Sequence, residues 1–193
     1  MQTPRKFHKP LLATVLSTLL LPSVALAHPG DAAAHHNLME GLLHPLTGFD
    51  HLLMITAVGA WAGQLMPRGR LLVAVCLALF VGIGAVLNRG AGPLLEIAIA
   101  FTVLGSGLLL ALGRRWPLWA GGLLAAGFAL VHGLAHGTEG PAHSAAYLGG
   151  LIVATGMHAL LVATLASRLQ QRGWLLRSAG LVTAATAAVN LAS

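Results

Sequence analysis

Charge is what this sequence has least of. Only 8% of its 193 residues are Asp, Glu, Lys or Arg, where a soluble domain carries about 25%. So few charges cannot cover a water-facing surface. With 56% hydrophobic residues and a mean hydropathy of +0.81, the chain reads as an integral membrane protein. A clustered basic face is also missing. The formal net charge of +6 comes from Arg5, Lys6 and Lys9 at the extreme N-terminus and from eight arginines scattered between apolar runs. A phosphate-binding footprint would cluster on one soluble face, so nucleic acid is not expected as a partner. The single cysteine, Cys76, lies inside an apolar run. It excludes an internal disulfide and reads as a small buried hydrophobe. There is no nucleotide-binding motif and no internal repeat, and no appended soluble domain is expected.

What is present begins with a processing segment. A basic stretch over residues 1–10 is followed by "LLATVLSTLLLPSVALA" and ends in Ala25-Leu26-Ala27. That order is a secretory signal peptide with an A-x-A cleavage site, and the cut is expected after Ala27. The expected organisation is a signal peptide over 1–27, a periplasmic His-containing segment over 28–43, and a transmembrane domain over 44–193. The mature chain would start at His28, whose imidazole and free α-amine together could chelate a divalent metal.

Six apolar runs follow, at 45–66, 70–88, 93–112, 116–137, 144–166 and 174–191. Each is near the ~20 residues that cross ~30 Å of hydrocarbon. The fold class expected is therefore all-α, a polytopic bundle of six transmembrane helices. The breaks are short, so neighbouring helices should run antiparallel. With the mature N-terminus outside, Arg68, Arg70, Arg114, Arg115, Arg168, Arg172 and Arg177 fall on the cytoplasmic side and Arg89 alone outside. That satisfies the positive-inside bias and returns the C-terminus to the periplasm of a bacterial inner membrane. The many glycines read as close-packing positions between helices.

Against this apolar background the polar residues stand out: His44, Asp50, His51, Glu96, His132, His136, Glu139 and His158. An aspartate at the bilayer centre costs roughly 2.5–3.5 kcal/mol, so such residues usually have partners and purposes. The topology gathers most of them in the outer leaflet, with Asp50 and His51 at about the depth of His132. His132 and His136 are i,i+4 neighbours on one helical face, a spacing that closes on one metal ion. His44 and His51 are seven apart and share a face of the expected first helix. Pro45 would be tolerated in that helix's first turn, and Gly48 would leave room for a close neighbour. Asp50 would ligate directly or accept the ring N–H of a ligating histidine. Imidazole with carboxylate suits nickel, cobalt, zinc or copper better than magnesium or calcium. His158 reads first as a hydrogen-bonding contact between helices, and Glu96 equally well as a headgroup-level residue. His28, His35, His36, Glu96, His143 and His158 are accessory candidates.

Two motifs carry a resemblance. "HPLTGFDH", residues 44–51, matches the H-x5-D-H pattern of the HupE/UreJ family, and "VHGLAHGTE", residues 131–139, matches its F-H-G-x-A-H-G-x-E pattern with Val131 in place of the aromatic. The resemblance covers the whole chain. It implies a nickel or cobalt permease serving hydrogenase or urease maturation, with His44, Asp50, His51, His132, His136 and Glu139 at the functional positions.

The expected function is thus import of Ni2+, with Co2+ or Zn2+ as other candidate ions, by a lipid-embedded non-enzyme without an organic cofactor. A homo-oligomer is compatible with the sequence but not specified by it. Three alternatives use the same residues: an intramembrane zinc-dependent hydrolase, a metal sensor or chaperone without transport, and a haem-binding electron carrier. The last is disfavoured because its paired histidines would be expected at both leaflets.

Overall fold

The computed structural model describes residues 38–87, 92–139 and 144–192, without the side chains of 137–139. The expected signal peptide at 1–27, with His28, His35, His36 and His143, lies outside the described residues. The described chain forms α1 (Leu38–Thr47), α2 (Phe49–Ala62), α3 (Pro67–Leu87), α4 (Pro93–Leu112), α5 (Leu118–Glu139), α6 (Ala145–Arg168), a 3-10 turn at Gln170–Arg172, and α7 (Gly173–Ala192). No strand occurs among the described residues, and the all-α expectation holds.

Five of these helices, α3 to α7, are long and apolar enough to cross a membrane, which makes this a multi-pass membrane protein. Their limits follow local chemistry. Pro67 and Pro93 occupy first positions of α3 and α4, where a missing N–H costs nothing. α4 stops at Gly113, whose φ of 59° is a left-handed conformation that glycine adopts without steric cost. Ser144 opens α6 by accepting a hydrogen bond from the Tyr147 backbone N–H at 3.4 Å.

The first apolar run departs from expectation. Instead of one helix over 45–66, it is two, parted at Gly48, and α1 begins at Leu38 inside the segment expected to precede the bundle. Pro45 is not in a first turn; it lies within the last turn of α1 and is buried. Having no N–H, it cannot continue the i→i−4 ladder. The Thr47 hydroxyl donates to the His44 carbonyl at 3.0 Å, and Gly48 turns extended, with ψ of 116°, before α2 starts. At 14 residues, α2 reaches only about 21 Å, short of a full crossing alone.

α2 is the centre of the bundle and packs against every other helix. Its burial is nearly all round, with Met54, Ile55, Ala57, Val58, Ala60, Trp61 and Ala62 in the core. A helix that is apolar on all sides belongs in such a place. Trp61 is fully buried, and its indole N–H donates to the Arg114 carbonyl at 2.9 Å.

Around α2 three helix pairs cross at facing glycines. These are Gly41 with Gly150 for α1 and α6, Gly84 with Gly133 for α3 and α5, and Gly107 with Gly180 for α4 and α7. At each crossing a Cβ would meet backbone of the opposite helix. Backbones this close exchange dispersion contacts that lipid tails cannot replace. Large apolar side chains such as Leu94, Leu123, Met157 and Leu161 point outward, as lipid-facing surfaces should.

Charge is segregated along the bundle. Arg68, Arg70, Arg114, Arg115, Arg168, Arg172 and Arg177 flank one set of helix ends, and Trp116, Trp119 and Trp174 stand exposed beside them. Arginine with exposed tryptophan is the pattern of a membrane–water boundary. Glu40, Asp50, Glu96 and Glu139 belong to the other end.

Candidate metal centre

Three helix segments bring four histidines into one cluster. His44 comes from the last turn of α1, His51 from the first turn of α2, and His132 and His136 from the face of α5 on which i,i+4 positions stack. The His51 ring centroid lies 4.4 Å from that of His132 and 4.0 Å from that of His136, and the His44 ring lies 4.4 Å from His136. In an unbroken helix His44 and His51 would stand about 10 Å apart along the axis. The break at Gly48 lets both rings meet His136. Gly48 has a second role, because a Cβ there would stand 3.0 Å from His51 Nδ1 and press on the ring.

The cluster is buried. His132 is 0% exposed, His136 1% and His51 5%. Asp50 is the exposed member, with its side chain 44% exposed and Oδ1 3.3 Å from His51 Nδ1. A carboxylate only accepts, so this contact places the proton on His51 Nδ1 and leaves Nε2 bare. The partnering is incomplete in a specific way. His51 Nε2, His132 Nδ1 and both nitrogens of His136 are buried with no hydrogen-bond partner among the described residues. A buried polar group left unpartnered costs about 1–3 kcal/mol, and four of them on three neighbouring rings call for an explanation.

Ligand atoms of Asp50, His51 and His132 all lie within 4.8 Å of one another, close enough to share one ion. Imidazole nitrogen with one carboxylate is the donor set of a borderline transition metal such as nickel, cobalt or zinc. A divalent ion would engage the bare nitrogens, and the half-exposed Asp50 would offset its charge. The donor set fits a metal.

The other residues singled out from the sequence are placed differently. Glu139 closes α5, but its side chain is outside the described residues. Glu96 is exposed in the first turn of α4. His158 is not in the cluster; its Nε2 is 3.0 Å from Thr56 Oγ1, a contact between α6 and α2. Two residues that touch the cluster carry no motif. Thr102 of α4 is 2.7 Å from His132 Nε2, and Tyr147 of α6 has its ring 5.7 Å from that of His44. The single tyrosine of the chain was the only sequence signal for the second. A lone hydroxyl in an apolar run was the signal for the first.

A recess of about 210 Å³ lies at the arginine-rich end, lined by Gln64, Arg115, Gln170 and Arg177 among others. Its guanidiniums would repel a cation, so it is not a second metal site.

Comparison with known proteins gives the family. A family profile described as HupE / UreJ protein matches residues 16–190. The protein HupE of Rhizobium leguminosarum bv. viciae is 38% identical over 148 residues, covering 75% of this chain and 76% of its own. No solved structure matches. A profile spanning nearly the whole chain, and a relative aligned over three quarters of both sequences, lead to one conclusion: this chain belongs to the HupE/UreJ family.

Proposed function

We propose that the protein imports Ni2+, with Co2+ as the alternative cargo, for hydrogenase or urease maturation, using the histidine cluster as its selective site. The observation that carries this reading is the set of four buried imidazole nitrogens, on three rings, that have no hydrogen-bond partner among the described residues where α1, α2 and α5 meet. Membership of the HupE/UreJ family supports the same chemistry. In this reading α1 and α2 together make a sixth crossing, the arginine-rich end is cytoplasmic, and the cluster lies in the periplasmic half. Asp50, exposed at one edge, meets the incoming ion, and the histidines then replace its water. Glu139, at the end of the same helix as His132 and His136, is proposed as a second carboxylate that offsets the ion's charge. His28, His35 and His36 are proposed to collect metal ahead of the site.

His51, His132 and His136 are buried, and the rings lie 4.0–4.4 Å from their neighbours. In this reading no fixed channel carries the ion, and a shift between helices opens the inward path. The hinge available for that shift is the break at Gly48, which joins α1 to the central helix.

The direct test is accumulation of radioactive nickel by proteoliposomes holding the purified protein, alongside a binding titration in detergent. Saturable uptake above empty vesicles is expected. Binding without uptake would leave a sensor or chaperone, and neither would remove the proposal. The pH dependence has a definite sign. A protonated imidazole has no lone pair to give, so nickel affinity should fall as pH is lowered, measured by titration calorimetry in detergent. Each imidazole that must lose a proton contributes up to about tenfold per pH unit once it titrates. Affinity that rises on acidification would contradict imidazole as the donor.

A further inference from the structure

The cluster contains two histidines whose proton positions are set by different neighbours, and one of those neighbours is Thr102. Its hydroxyl oxygen is 2.7 Å from the Ile99 carbonyl oxygen and 2.7 Å from His132 Nε2. A hydroxyl has one proton, and a carbonyl oxygen has none to give. Two oxygens at 2.7 Å need a proton between them, so the Thr102 proton lies toward Ile99. Toward His132 the hydroxyl can only accept. The proton of that second contact therefore belongs to His132 Nε2, and the bare lone pair of the ring is on Nδ1. That is the atom left without a partner in the cluster.

We propose that Thr102 is a positioning residue that holds His132 as its Nε2–H tautomer and so presents Nδ1 to the metal. His51 is held the opposite way, since Asp50 faces its Nδ1 and leaves Nε2 bare. The two rings, 4.4 Å apart and nearly perpendicular at 85°, then carry their lone pairs on unlike nitrogens. Protons on both facing nitrogens would repel a cation, and a neutral imidazole can offer only one lone pair. The outer hydrogen bond thus selects which ring atom is available, as carboxylates and carbonyls do for histidines that ligate metals elsewhere. Thr102 and His132 are both buried, at 6% and 0% exposure, so water cannot substitute for the lost acceptor.

The proposal rests on the metal-site reading above, and its test separates the two. Nitrogen-15 spectra of histidine-labelled, metal-free protein report the tautomer of His132 without any metal present. The wild type should show a protonated Nε2 and a pyridine-type Nδ1, assigned by loss of the signals in His132→Asn. Thr102→Val keeps the shape of the side chain and removes the acceptor. It should lose that preference and bind nickel 10–100-fold more weakly, the usual effect of removing a ligand's orienting partner. Thr102→Ser restores the hydroxyl and should bind within about threefold of wild type and show the wild-type spectrum. A wild-type His132 protonated at Nδ1 overturns the proposal, as does Thr102→Val binding nickel as tightly as wild type. If the wild type binds no nickel, the metal-site reading falls instead, and the spectra still decide the tautomer.

Discussion

His51→Ala and His132→Ala should each reduce nickel accumulation to the level of empty vesicles at limiting metal. Removing a partner that merely orients a ligand costs 10–100-fold in affinity, so removing the ligand itself should cost more than about 100-fold. Both rings carry a buried nitrogen with no hydrogen-bond partner among the described residues. A void left in the bundle could weaken the protein without any metal being involved. His158→Ala controls for this, because it also removes an imidazole from a helix contact, the one with Thr56. It should keep uptake within about threefold of wild type. If His51→Ala and His132→Ala accumulate nickel as the wild type does, the proposed site is wrong.

The second large effect concerns glycine, and here the expected loss is of the fold. Gly133→Val should leave little folded protein, whereas Gly127→Ala and Gly149→Ala should be close to neutral. Where α3 and α5 cross, a Cβ on Gly133 would overlap the Val81 carbonyl oxygen and stand 2.9 Å from the Cα of Gly84. Those are backbone atoms in the middle of helices, and no rotamer change moves them aside. Overpacking a core costs about 1–3 kcal/mol even where side chains can yield, so about 3 kcal/mol or more is expected at Gly133. At Gly127 and Gly149 a Cβ would meet nothing within 4 Å, and a surface position of that kind stays within about 0.5 kcal/mol. Thermal unfolding of the purified variants in one detergent measures the difference. Equal midpoints for Gly133→Val and Gly127→Ala would contradict the crossing geometry. Gly133 also separates the two cluster histidines of α5, so its packing role and their ligating role are built into one stretch. The glycine face lets the helix approach α3, and the neighbouring face carries His132 and His136 to α2.

Hydropathy and length are local properties, and α3 to α7 follow the apolar runs to within a few residues at each end. The i,i+4 relation of His132 and His136 is also local, since helical geometry alone puts them on one face. The break at Gly48 was less visible. An apolar run with Pro45 near its start is compatible with a proline in a first turn, and no local signal says that another turn of helix precedes it. What decides the matter is α6, against which α1 packs through Gly41 and Gly150. That contact joins positions about a hundred residues apart.

The same distinction governs the site. Composition determined that this is a membrane protein, because eight charges per hundred residues cannot solvate a surface. The spacing of H-x5-D-H and of H-G-x-x-H singled out the histidines, because ionisable groups in apolar runs are too costly to be idle. Only the packed bundle decided their company. His44 reached His136 through a broken helix, Thr102 came under His132 from a helix with no motif, and His158 paired with Thr56 away from the others. Which side chains meet across helices depends on the rotation and depth of each helix. Those are set by which glycines the neighbouring backbones settle against, a property that no single stretch of the chain contains.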